Sequence, residues 1–376
     1  MAAKDELAAL LQAADIEIDG GDPWDIRVHD ERFYARALAH GSLGAGEAYM
    51  DGWWDVPRLD EFFTRVHAAR LERRLVRPAM LAQVVLSRIR NPQGPALSRR
   101  VARRHYDLSN DLYVAMLGAT MQYTCAYYGA DGAGLTLDEA QHRKLDLIAS
   151  KLHLRPGMTV LELGGGFGGL AHLLAKQHGC RVVSYNISRE QVEFARAWCG
   201  GLPVEFRLED YREAASDPAS YDRVVSIGLM EHVGPKNYRR FFEIVHERLA
   251  PGGLALVHTI GGNVSKTTTD RWIDTYIFPG GVIPSERQIT EAKEGLLVLE
   301  DWHSFGPDYD RTLLAWDANF RAAWPALRAD PRLDERFYRM WRYYLNSTAG
   351  AFRARVLNLW QLVLSRGDIP RYVPVR

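Results

Sequence analysis

The segment Val160-Leu161-Glu162-Leu163-Gly164-Gly165-Gly166-Phe167-Gly168-Gly169 constrains the fold more than any other stretch. In it an apolar run of strand character enters clustered glycines and leaves as a helix pattern, Leu170 to Gln177. Glycine at such a turn accepts positive φ and lets a ligand approach without meeting a Cβ, and the helix that follows presents unpaired N–H groups. The segment reads as a nucleotide-cofactor loop, the alternative being a tight strand-helix corner.

The surrounding sequence extends that reading. From about Leu145 strands and helices alternate: Thr159 to Leu163, Gly169 to Gln177, Arg181 to Asn186, Glu190 to Cys199, Val204 to Leu208, Tyr221 to Leu229, Tyr238 to Leu249 and Leu254 to Thr259. The alternation predicts an α/β domain, a parallel sheet with helices on both faces. Such sheets bind ligands beyond the carboxyl ends of their strands, where the glycine loop, Asn186, Glu209-Asp210, Glu231 and His258 all fall. Gly262 to Gly281 interrupts the pattern as an insertion expected to cap the site, Val298 to Phe305 reads as a further strand, and Leu357 to Leu364 as a last antiparallel one.

Residues 1–115 carry no such motif and read as a smaller, mainly helical N-terminal domain, with 116–376 as the catalytic domain. Within 65–104 lie Arg65, Arg70, Arg73, Arg74, Arg77, Arg88, Arg90, Arg99, Arg100, Arg103 and Arg104, against Glu72 as the only acid. Leu81, Val84, Val85 and Ile89 share this stretch at helical spacing, the pattern of a basic amphipathic helix. It either rests on an anionic bilayer or packs on its own domain with solvated arginines. The whole chain is balanced at zero formal charge, which argues against a general nucleic-acid binder. Cys125, Cys180 and Cys199 are far apart and lack C-x-x-C spacing, so neither a disulfide framework nor a zinc site is expected, and a reducing cytoplasm fits. The start lacks the order of a signal peptide, and no apolar run reaches the roughly 20 residues of a membrane span, so any membrane contact is expected to be peripheral.

Asn186 stands where a dinucleotide fold usually has an acid, which neither proves nor excludes a ribose. The combination Glu162-x-Gly164-x-Gly166-x-Gly168 with Glu209-Asp210-Tyr211 after the third strand resembles methyltransferases using S-adenosylmethionine. The resemblance becomes specific over nearly the whole chain. It runs through Tyr49-Met50-Asp51-Gly52-Trp53-Trp54, His105-Tyr106-Asp107-Leu108, Met121-Gln122-Tyr123-Thr124-Cys125-Ala126-Tyr127, Glu231-His232-Val233-Gly234-Pro235-Lys236-Asn237-Tyr238, His258-Thr259-Ile260-Gly261, Asp308-Tyr309-Asp310 and Leu359-Trp360-Gln361. On these strings the chain resembles the cyclopropane-fatty-acyl-phospholipid synthases. It departs from that pattern mainly in the loop, with Glu162 for aspartate, Gly165 for cysteine, Phe167 for tryptophan, Asn186 for threonine and Thr124 for serine.

The resemblance implies a Rossmann-like class I methyltransferase sheet and transfer of a methylene group from S-adenosylmethionine to the cis double bond of an unsaturated phospholipid chain, with bound bicarbonate as the base. By position in the shared motifs, Cys125 and Ile260 through backbone groups and Glu231, His258 and Tyr309 through side chains would hold the bicarbonate. Glu231 suits the anion's O–H, and His258 and Tyr309 can donate to its oxygens. For the cofactor the expected residues are Tyr123 and Thr124, Glu162, Gly164 and Gly166, Asn186 and Gln191 for the ribose, and Asp210 with Tyr211 for adenine. Taken singly, Cys125 also reads as a small buried apolar residue, His258 as a structural histidine, Glu231 as a cap and Tyr309 as core. The expected partners are phospholipid with unsaturated acyl chains, an anionic membrane surface at its cytoplasmic face and a second copy in a homodimer, with no nucleic acid. Rival readings are a methyl- or methylene-branching lipid methyltransferase, a small-amine methyltransferase, and a lipid-binding relative without turnover.

Overall fold

A computed structural model describes residues 3–71, 93 and 110–376. Most of the basic stretch, including the amphipathic segment near Leu81 to Arg90, lies outside the described residues. The chain divides into two compact units.

The first unit comprises residues 1–90, 268–279 and 309–357. Its strands β1 (Arg27–Val28) and β2 (Trp54–Asp55) pair antiparallel, and the rest of its described secondary structure is helical. The helices Leu59–Ala68 and Glu335–Arg353 lie so close that a Cβ on Gly350 would stand 2.7 Å from Phe63 Cβ. Arg353 ties them, donating to Asp60 at 2.9 Å and Glu61 at 2.8 Å while its other N–H groups reach Asp310 at 2.9 Å. Against the cost of burial, Arg58 and Arg353 hold the Asp60 carboxyl down to about 2. This division differs from the two consecutive segments 1–115 and 116–376 expected from sequence. Helices near the C-terminus pack with helices near the N-terminus, so the unit is assembled from three separate stretches. The helix Arg271–Tyr276, inside the expected insertion, belongs to this unit as well, its Trp272 ring 4.4 Å from that of Tyr343.

The second unit, 91–267, 280–308 and 358–376, is built on a seven-stranded sheet. Its strands are β3 (Thr159–Leu163), β4 (Arg181–Asn186), β5 (Val204–Leu208), β6 (Tyr221–Ile227), β7 (Leu249–Gly262), β8 (Val298–Ser304) and β9 (Leu357–Ser365), in the order β5-β4-β3-β6-β7-β9-β8. The pairs β3–β4, β3–β6, β4–β5 and β6–β7 are parallel and β8–β9 is antiparallel, as the alternation of the sequence implies. Successive side chains of a strand point to opposite faces. Accordingly Leu161 and Leu163 join a core with Phe241, Phe242 and Val245 of the helix Tyr238–Arg248, whereas Val160 joins another with Leu145, Ile148 and Leu170. The strand order reverses between β3 and β6, the position at which open α/β sheets bind ligands. Among the described residues no helix is long and apolar enough to cross a membrane.

Candidate active site

The glycine loop leaves β3 with Gly164, Gly166 and Gly168 at φ of 89°, 53° and 85°, a region that L side chains enter only at a cost. The N–H groups of Gly164 and Gly165 donate to the Tyr185 carbonyl at 2.9 and 3.1 Å, pinning the turn to β4. A Cβ built on Gly166 meets nothing within 4 Å, so the loop presents bare backbone to open space there. Asn186, at the end of β4, donates through Nδ2 to the Gly166 carbonyl and to Gln191 Oε1, both at 2.9 Å. Asn186 and Gln191 therefore form one pair bracing the loop from the neighbouring strand end. Gly165 is small for a different reason: a Cβ would fall 2.0 Å from Ser184 Oγ and 2.7 Å from Glu162 Oε2. Ser184 occupies that space and donates to Glu162 Oε2 at 2.6 Å. Burial pushes the Glu162 carboxyl up to about 7.

The segment Thr120 to Cys125 crosses this loop. A Cβ on Gly169 would lie 2.2 Å from the Thr120 carbonyl oxygen, and one on Gly228, just past β6, 2.9 Å from Thr124 Cγ2. Tyr123 therefore stands at the carboxyl edge, its ring 5.5 Å from that of Tyr113, which in turn lies 5.3 Å from Phe167 of the loop. Cys125 is fully buried and its thiol donates to the Ala126 carbonyl at 3.1 Å. The capped helix Leu137–Lys151 holds the segment from below: Gln141 Nε2 donates to the Thr124 carbonyl at 2.9 Å, and Lys144 Nζ to Gln122 Oε1 at 2.6 Å and Thr124 Oγ1 at 2.9 Å.

Beyond β6 the short helix Met230–Val233 carries Glu231, and the end of β7 carries His258 and Ile260. His258 pairs in register with Ile227, the last residue of β6. The Ile260 N–H donates to Glu231 Oε1 at 2.6 Å, so this backbone group is engaged by the carboxylate. The other oxygen, Oε2, is buried without a partner among the described residues, and burial raises the carboxyl to about 7. Gln361 of β9 places Nε2 3.3 Å from His258 Nδ1. An amide N–H at Nδ1 makes that nitrogen the acceptor and leaves the ring proton on Nε2. That Nε2 is likewise buried and unpartnered among the described residues. Burial keeps His258 neutral, well below the ordinary imidazole range.

A family model described as Mycolic acid cyclopropane synthetase matches residues 96–362. The cyclopropane-fatty-acyl-phospholipid synthase of Escherichia coli strain K12 is 49% identical over 95% of this chain and 92% of its own length. The chain belongs to the cyclopropane synthase family. It is an enzyme of that methyltransferase family, and solved structures agree with the fold. The cyclopropane synthase MmaA2 from Mycobacterium tuberculosis is 30% identical, with a TM-score of 0.65, over 71% of this chain and 97% of its own. The mycolic acid cyclopropane synthase CmaA1, solved with SAH and CTAB, is also 30% identical, with a TM-score of 0.63 over the same shares.

In this family member the described geometry gathers Cys125, Glu231, His258 and Ile260 with the glycine loop in the second unit. Tyr309 belongs to the first, where it is buried with its ring 4.6 Å from Phe352. Asp210 lies after β5 and is buried; it caps the turn Tyr211–Ser216 by accepting from Arg212 N at 3.0 Å and binds the Arg212 guanidinium at 2.9 Å. Tyr211 packs in the core with Phe241, its hydroxyl without a partner among the described residues, and burial pushes that hydroxyl up to about 12. Sequence reasoning missed Lys144, Gln141, Ser184 and Gln361. The first two carried a signal: Gln141, Lys144, Leu145 and Ile148 recur at helical spacing on one buried face, which puts a lysine among core positions.

Proposed function

We propose that this enzyme transfers a methylene group from S-adenosylmethionine to the cis double bond of unsaturated acyl chains in membrane phospholipids, closing a cyclopropane ring, with hydrogencarbonate as the base. The observation that carries the reading is the pair of buried atoms Glu231 Oε2 and His258 Nε2 at one sheet edge, both unpartnered among the described residues. Each such atom costs about 1–3 kcal/mol, so a chain that keeps both is built around a polar ligand. The two are chemically opposite. Glu231 Oε2 accepts, as the O–H of hydrogencarbonate requires, and the neutral His258 donates from Nε2, as its oxygens require. Cys125 and Ile260 through backbone groups and Tyr309 through its hydroxyl complete the proposed holders.

Gly166 offers the open backbone that a cofactor can approach without meeting a Cβ, and Asn186 with Gln191 fixes that backbone and stands ready for a ribose. Tyr123, Thr124, Glu162 and Gly164 are assigned to the same cofactor, with Asp210 and Tyr211 assigned to adenine. Bound S-adenosylmethionine supplies an electrophilic methyl, and bound hydrogencarbonate a proton acceptor that tolerates an apolar channel. Glu231 and His258 then keep that acceptor oriented and shielded from water.

The arginines between 65 and 104 support a peripheral site on the cytoplasmic face of an anionic membrane, each contributing on the order of 1 kcal/mol near the surface. The resemblance supports a homodimer. Incubation with S-adenosylmethionine and vesicles of unsaturated phospholipid, followed by proton NMR, tests the reaction. Strongly shielded ring hydrogens are expected; a product with only vinylic or methyl-branch signals would overturn it.

A further inference from the structure

Lys144 is fully buried, and among the described residues its ammonium hydrogen-bonds only to neutral oxygens. Among the described residues no carboxylate oxygen lies within 4.0 Å of Nζ, whereas Lys151, the other buried lysine on the same helix face, has Asp301 at 3.5 Å. An ammonium has three N–H donors. Two reach Gln122 Oε1 at 2.6 Å and Thr124 Oγ1 at 2.9 Å, and the third has no acceptor among the described residues. Glu162 acts on this charge through its field alone, without touching it. A charge taken out of water with so little compensation is expensive, and a chain retains one where an anion completes it.

The place of this charge is specific. Gln122 and Thr124 flank Tyr123 and precede Cys125, and the same helix fixes the Thr124 carbonyl through Gln141. The field of Lys144 also reaches Glu162 and His258. A hydrogencarbonate held by the Glu231 carboxylate sets two negative charges side by side, and the neutral His258 offsets neither. The Lys151 ammonium acts on His258 too, but Asp301 already balances it.

Resting on the function proposed above, we propose that Lys144 is a positioning residue of this site: its buried ammonium locks the Gln122–Thr124 segment across the glycine loop and supplies the positive charge that lets the pocket take up an anion beside Glu231. Burial lowers Lys144 to about 7. An anion close by favours the charged form, so uptake of the anion and retention of the proton reinforce one another.

The test compares wild type, K144M and K144R. Binding of 13C-labelled hydrogencarbonate is read from its NMR line width with neither lipid nor cofactor present. S-adenosylhomocysteine binding is read by calorimetry, and the hydrogencarbonate concentration giving half-maximal ring formation is measured in buffer purged of CO2. K144M is expected to need at least roughly tenfold more hydrogencarbonate and to lose line broadening, while its S-adenosylhomocysteine affinity changes by less than about threefold. K144R, which keeps the charge, is expected to remain close to wild type. A K144M protein that binds and uses hydrogencarbonate as wild type does overturns the role of Lys144 and leaves the base assignment standing. A wild type that neither binds hydrogencarbonate nor depends on it overturns the base assignment and this role together. Should K144M fail to fold, K144Q, polar and uncharged in the same space, carries the comparison with the same two outcomes.

Discussion

Gly165 stands where the family pattern has cysteine, and the structure gives that departure a partner. Gly165 is not among the residues with positive φ, so its backbone admits an L side chain; the obstacle is Ser184. In Gly165→Ala the new Cβ would fall 2.0 Å from Ser184 Oγ and 2.7 Å from Glu162 Oε2, both in fully enclosed surroundings. Ser184 must turn away, breaking its 2.6 Å bond to Glu162. A lost hydrogen bond to a buried carboxyl costs about 1.5–3 kcal/mol and overpacking a further 1–3. We therefore expect G165A to lose roughly 3 kcal/mol in urea unfolding followed by circular dichroism. S184A alone loses the bond and removes the closest contact: Ser184 Cβ stands 3.3 Å from the new methyl, and the Glu162 carboxyl, no longer held by Ser184, is free to turn its Oε2 away. The double variant should therefore be little less stable than S184A, with a coupling of at least about 1.5 kcal/mol. G165A as stable as wild type, or a cycle that adds within about 0.5 kcal/mol, would refute the claim that Ser184 and Gly165 are a matched pair.

Glu231→Gln should abolish ring formation yet stabilise the protein at alkaline pH. The folded carboxyl is raised to about 7 from an ordinary 4.5, so the folded state alone binds a proton between those values; stability falls as pH rises through that window, and the full cost persists above it. Removing the charge is then worth on the order of 3 kcal/mol at pH 8 and little near pH 4.5; a melting-temperature difference that does not change with pH contradicts this. Gln361→Leu should release the His258 tautomer: nitrogen NMR of labelled histidine is expected to show a protonated Nε2 in wild type and a mixture in the variant, and identical spectra would remove Gln361 from that role. Changing Arg73, Arg74 and Arg77 to Glu, positions outside the described residues, should weaken binding to anionic vesicles, with wild-type binding declining as salt rises; salt-independent binding by both proteins counts against a surface role for the arginines.

Much of the catalytic sheet could be read from the chain. Strands β3, β4 and β5 begin and end at the residues expected, because short apolar runs bounded by glycine and polar turns leave little choice. Strand β7 begins at Leu249, five residues earlier than the expected Leu254, because Leu249 pairs with Tyr221 of β6 and the register then shifts across Ala250 to Gly253 before Leu254 pairs with Arg223. The division into units was not legible: it depends on Arg353 meeting Asp60 and Glu61, a contact between residues nearly three hundred positions apart that no local pattern announces. Within the proposed site, the positions of Glu231, His258 and the glycine loop at strand ends could be read from the sequence. Lys144 and Gln361 did not. A lysine or glutamine in a helix or strand ordinarily faces water, and only the folded chain shows these two fully enclosed.

The most direct test of the account follows the atoms of the transferred group. With S-adenosylmethionine carrying a fully deuterated methyl, unsaturated phospholipid vesicles and hydrogencarbonate, the account predicts a shielded ring methylene that retains two deuterons, the third having left as the ring closed. A product that keeps all three deuterons in an open methyl branch would contradict it, because the transferred methyl would then have lost no proton to a base held by Glu231 and His258.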